Sequence, residues 1–146
     1  MASFWYNNAA EQIALGNLDM DTHDIRVLLC MTNTTADTER DKAFISLFTT
    51  LDEYDGAAYV RKALAAEAVA QDDVNNRAEF DATDVTWTAL GAGTRNCQGM
   101  IIFRFVTVDA DSVPIAWIDT GGFPFAGNGG DVTITWNAEG ILQLQT

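Results

Sequence analysis

The sequence predicts a mainly β, α+β fold: a β-sandwich or open barrel of about eight strands, with an N-terminal helix and one short additional helix. Three observations carry this expectation. Apolar and polar residues alternate with a period of two in the later part of the chain, as in "DVTWTAL" and "DVTITW". Successive strand side chains point to opposite faces, so this period marks strands with one covered face. Turn-forming runs separate the segments, notably "GAG" (Gly91–Gly93) and "TGGFPFAGNGGD" (Thr120–Asp131). The chain also opens on an apolar stripe at helical spacing. Its 146 residues suit a single domain spanning 1–146, large enough to bury a core without metal or disulfide.

Taken in order, the helix is expected over about residues 3–15. Ser3 is placed to cap it and Gly16 to end it in the left-handed conformation. Tyr6, Ala9, Ala10, Ile13 and Ala14 form its stripe, and Phe4 and Trp5 widen it. Three consecutive aromatics cannot share one face, so at least one points to the body or to another subunit. "DIRVLLCM" (Asp24–Met31) sets Ile25, Val27, Leu29 and Met31 on one face, with Leu28 and Cys30 softening the other. That pattern predicts a strand covered on both sides. Ala43, Phe44, Leu47, Phe48 and Leu51 fall at the spacing of a short helix. Ala58–Ala70 is ambiguous: its alanines favour helix by propensity, its alternation permits a strand, and the sheet-like surroundings favour the strand.

The rest reads as β. "NRAEFDA" leads into "DVTWTAL"; "CQGMIIFRFVTV" (Cys97–Val108) is long and apolar; "VPIAWID" (Val113–Asp119) follows, with Pro114 at a strand start or edge. The closing segment is predicted as a hairpin. Val132, Ile134, Trp136, Leu142 and Leu144 supply an oily face that closes the core. Thr133, Thr135, Gln143 and Gln145 supply a neutral polar face.

Charge narrows the function. Eight basic residues against 21 acidic ones give −13. Nucleic-acid binding needs clustered Lys and Arg to displace counterions, and these eight are scattered, so no nucleic-acid partner is expected. An anionic membrane surface is disfavoured for the same reason, and no apolar run approaches the roughly 18 residues that span a bilayer. The start lacks the basic and continuous apolar regions of a signal peptide. Cys30 and Cys97, far apart, read as reduced thiols of a protein made in a cytoplasm.

Reactive chemistry is not expected. His23, the only histidine, sits between Asp21 and Asp24 just before a strand, where a solvated turn residue outweighs a catalytic one. "DMDTHD" resembles the opening of a calcium loop, but its sixth and twelfth positions are Asp24 and Cys30 rather than Gly and Glu. Asp81 and Asp84 read as turn caps. Trp87, Trp117 and Trp136 fall mid-strand and read as core rather than as a sugar platform. The expectation is no enzyme, no cofactor and no metal, with a small carbohydrate-binding or hydrolytic β domain as the contrary reading.

Several segments also resemble a known family. "FWYNNAAEQIALGNLDMDTHDIRVLL", "NRAEFDATDVTWTALGAG", "DSVPIAWIDTGGFPFAGNGGD" and "VTITWNAEGILQL" look like small structural proteins of tailed-bacteriophage virions, in their order and spacing over most of the chain. The resemblance implies an N-terminal helix leading to a β domain with a closing hairpin. It implies a virion component made in the host cytoplasm, in its leading form a capsid decoration or cement protein. Its partners would be the major capsid protein and itself, as a homotrimer. A neck, tail or tail-fibre component is the alternative. Aromatic residues enrich interface cores, so the interface candidates are Phe4, Trp5, Tyr6, Phe123 and Phe125, with the neutral row Thr133, Thr135, Gln143 and Gln145 as a face where identical acidic copies could meet.

Overall fold

The computed structural model describes residues 3–145. In chain order it holds β1 (Phe4–Trp5), α1 (Asn7–Ala14), β2 (Ile25–Met31), a 3-10 turn (Ile45–Leu47), β3 (Lys62–Ala63), β4 (Ala68–Asp72), β5 (Arg77–Asp81), β6 (Val85–Leu90), β7 (Cys97–Arg104), β8 (Val113–Ile118), β9 (Gly130–Ile134) and β10 (Leu142–Gln145). The strands form three antiparallel sheets, ordered β1-β8-β7-β2-β3, β10-β5-β4 and β6-β9. The fold is mainly β with one α-helix near the N-terminus, the class the sequence predicts.

The most apolar segments build the five-stranded sheet. Leu28 pairs with Ile101, and Ile101 with Trp117. Ile25, Val27 and Leu29 face a main core with Met100, Ile102 and Ile118. Leu28 and Cys30 face a second core with Ile101, Phe103 and Trp117. β2 is thus covered on both faces, as its lack of strict alternation predicts. Ala9 of α1, Phe80 of β5, Trp87 and Leu90 of β6 and Leu142 of β10 close the main core. Ala36, Ile45 and Phe48, from the long segment after β2, close the second.

Cys30 and Cys97 fall in opposite cores and are free thiols. Burial raises both pKa values, that of Cys97 to about 12, so neither presents a thiolate nucleophile at neutral pH.

Three expectations change at the level of elements. The helix begins at Asn7, not near residue 3: Tyr6 holds the cap position without a side-chain cap bond, and the Ser3 hydroxyl lies 3.5 Å from that of Thr120. Phe4 and Trp5 pair instead with Trp117 and Ala116, which lets Phe4 and Tyr6 sink into the second core. Burying two aromatic rings outweighs one capping bond. Gly16 does follow the helix with φ +74°.

The short second helix contracts to one 3-10 turn. The Ile45 and Ser46 amides donate to the Ser112 and Asp109 carbonyls rather than into a helix. Ala58–Ala70 divides between β3 and the start of β4, with Ala66 at φ +54° between them.

The closing hairpin is not formed. β9 pairs with β6, setting Thr133 opposite Thr86 and Val132 opposite Trp87. β10 pairs with β5, setting Leu142 opposite Phe80 and Leu144 opposite Ala78. Asn137–Gly140 is therefore a crossing between two sheets. The Trp136 amide donates to the Asp84 carboxylate and its indole to the Thr83 carbonyl, which turns the chain away from β9.

Candidate interaction surface

The small sheet β10-β5-β4 positions the most exposed apolar feature. Its register brings Val69, Phe80 and Leu142 side by side, with Ala78 and Leu144 one step along. Phe80 and Leu142 reach the main core, whereas Val69 and Leu144 lie beyond it and are 50% and 41% exposed. Opposite them stand Ile13 of α1, then Leu18 and Met20 of the loop after it. Between these walls runs an open groove of about 560 Å³ with Trp5 along it.

Asp19 and Asp21 also line the groove. Their carboxyl groups lie against each other. Hydrogen bonding to Asp21 and to Thr22 holds Asp19 below the usual carboxylate range, while the same contact with Asp19 raises Asp21. No Lys or Arg among the described residues lines this groove.

A second groove, of about 700 Å³, opens on the other side of Trp5. Phe4 and Ile118 form one wall, and Ile134, Trp136 and Ile141 the other; Thr135 and Gln143 are on its rim. The structure therefore brings together four of the sequence-predicted interface residues, Phe4, Trp5, Thr135 and Gln143. It separates the others. Thr133 stands on the outer face of β9, its hydroxyl 2.8 Å from that of Thr86. Gln145 lines a smaller cleft with Asp72 and Arg77. Tyr6 is buried within the monomer, at 0% exposure, and leaves the surface set, while Phe4 borders the second groove with only 8% of its surface exposed. Phe123 and Phe125 are half-buried and pack on the main core, ring against ring at 5.5 Å.

The charged clusters hold elements together. Arg61 makes bidentate bonds to Glu53 and to Asp109, between 2.5 and 2.9 Å, joining two distant loops. Asp72, Glu79 and Glu139 bring carboxylate oxygens within 4.8 Å of one another. The Arg77 guanidinium pairs with all three, at 3.3 Å to Asp72, 2.6 Å to Glu79 and in close contact with Glu139. That cluster is an ion-pair knot centred on a cation. Asp81 and Asp84 accept backbone amides, from Ala82 and Trp136, and His23 accepts the Asp19 amide through Nδ1. Trp87 and Trp117 are fully buried.

Sequence reasoning missed the first groove. Alternation in the sequence assigns Leu144 to the core, and Val69 lies in an alanine-rich stretch with two readings. The available signal was that β4 carries five residues, of which only Val69 is large and aliphatic. Comparison with protein-family models, with characterised proteins and with solved structures finds no match for this chain.

Proposed function

We propose that this protein is a non-enzymatic component of a tailed-phage virion that decorates the capsid, binding the major capsid protein on the outer shell as a homotrimer and bridging neighbouring subunits. The observation that carries the reading is the open apolar groove beside the small sheet, with Val69 and Leu144 exposed in a molecule of charge −13. Apolar side chains gathered at an open site mark a surface for a partner, and the high net charge keeps the free protein soluble until it docks. The resemblance of the four sequence segments to phage structural proteins supplies the kind of partner. Self-association is assigned to the second groove, whose Thr135 and Gln143 rim lets acidic copies approach without like-charge repulsion. Several weak shell contacts on one trimer would then act together.

The test combines purified protein with empty shells. Co-sedimentation, head-wide immunogold labelling and a trimer mass by light scattering are the expected results. Label confined to one vertex or the tail would transfer the protein to the neck or tail. Substituting Thr135→Lys together with Gln143→Lys should reduce the trimer to monomers, and an unchanged mass rejects that interface.

A further inference from the structure

We propose that the groove between α1 and the small sheet takes an extended segment of the shell protein in which one or two Lys or Arg side chains alternate with large aliphatic ones. The partner's identity rests on the shell-binding reading; the chemistry of the segment rests on the groove. Its volume, about 560 Å³, lies within the roughly 300–1,000 Å³ of clefts that enclose a ligand. It is open to solvent.

The walls ask for apolar side chains. Val69 and Leu144 are half in water, and covering them returns roughly 25 cal/mol per Å² of apolar surface. The carboxylates ask for a cation. Asp19 and Asp21 touch each other where no Lys or Arg of the described chain lines the groove. A guanidinium or ammonium placed between them would relieve their repulsion and gain charge-assisted hydrogen bonds. The same pair argues against other occupants. A second copy brings another strongly acidic surface to it, and a fatty acid or anionic lipid brings its own negative head. A wholly apolar segment would gain nothing from the two exposed carboxylates. An alternating cationic and aliphatic strand satisfies both halves, because successive side chains point to opposite sides.

The experiment measures binding by fluorescence polarisation at physiological salt. The probes are labelled short peptides of alternating Lys and Leu, alternating Lys and Ser, and alternating Glu and Leu. The Lys-Leu peptide should bind about tenfold tighter, or more, than either of the others. Asp19→Lys with Asp21→Lys should lose about that factor, as should Leu144→Ser, which keeps the charge. Asp41→Lys, at an exposed position that does not line the groove, should change affinity less than about twofold. Equal binding of the Lys-Leu and Lys-Ser peptides, or an equal loss in Asp41→Lys, would mean attraction to net charge alone and overturns the proposal. Shells then test the partner: both groove variants should co-sediment less than the wild type, and wild-type behaviour of both overturns the assignment of this groove to the shell. If the wild type itself fails to sediment with shells, the decoration reading falls, while the peptide titrations still decide the groove.

Discussion

Tyr54 shows how much one side chain can organise here. Its hydroxyl oxygen accepts the Gly93 and Gly127 amides at 2.9 and 3.1 Å and donates to the Gly91 carbonyl at 2.9 Å. The ring is buried, so the hydroxyl is the polar hub of three loops. The glycines are required by closeness: a Cβ on Gly127 would lie 2.2 Å from the Gly91 oxygen. In sequence, "GAG" reads only as a turn. The demand for glycine is legible there, but that it serves close approach depends on Ala57, which crowds Gly91, and on the Tyr54 ring, which crowds Gly93. Tyr54→Phe keeps the ring and leaves two amides and a carbonyl without their partner. The expected loss is about 2–3 kcal/mol of folding stability, read from urea denaturation; a loss below about 0.5 kcal/mol would show that water replaces the hydroxyl.

At the scale of elements, Arg77 decides where the last strand docks. It lies at the start of β5, and its guanidinium reaches Asp72 at the end of β4 and Glu139 in the crossing before β10. One cation thus ties β4 and β5 to the crossing that leads into β10. Arg77→Met would leave three carboxylates crowded together without a counter-charge, and β10 would be held by its ladder and by Leu142 alone. Amide exchange at Leu142 and Leu144 should then quicken by roughly tenfold, about the effect of losing one charge-assisted bond. Unchanged exchange would show that packing alone holds the strand. Millimolar Ca²⁺ should slow exchange in the variant and not in the wild type, because only the variant offers an uncompensated carboxylate set. The alternation of β9 and β10 was legible, and so was the break between them. Their separation into two sheets was not, because it depends on partners in β5 and β6 that lie 40 or more residues earlier.

For the molecule as a whole, charge works in two directions. The −13 balance repels itself, and mild acidification relieves that repulsion. Against this, hydrogen-bonded carboxylates make the fold acid-sensitive. Partial burial pushes the pKa of Glu39 up, but bonds from the Thr49 hydroxyl and amide and the Thr35 hydroxyl outweigh it and hold the pKa at about 2, against an ordinary 4.5. Asp24, paired to Arg26, is lowered as well. As pH falls, the unfolded chain takes up the Glu39 proton first, so this stabilisation is complete above about 4.5 and is lost as pH falls through about 2. The wild type should therefore exceed Glu39→Gln in urea midpoint at pH 7 and lose that advantage over this window. A gap that stays constant with pH would show that the threonine bonds do not depend on the charge.

The sequence by itself determined the class of the fold and the double-sided burial of β2. These follow from periodicity, composition and side-chain chemistry within a few residues. Tertiary structure alone decided that Phe4 and Tyr6 belong to the core, that the closing segment splits between sheets, and that Val69 and Leu144 stand beside Asp19 and Asp21. Each is a pairing between segments distant in the chain, and local alternation tells only which face is oily, not which neighbour covers it or leaves it open.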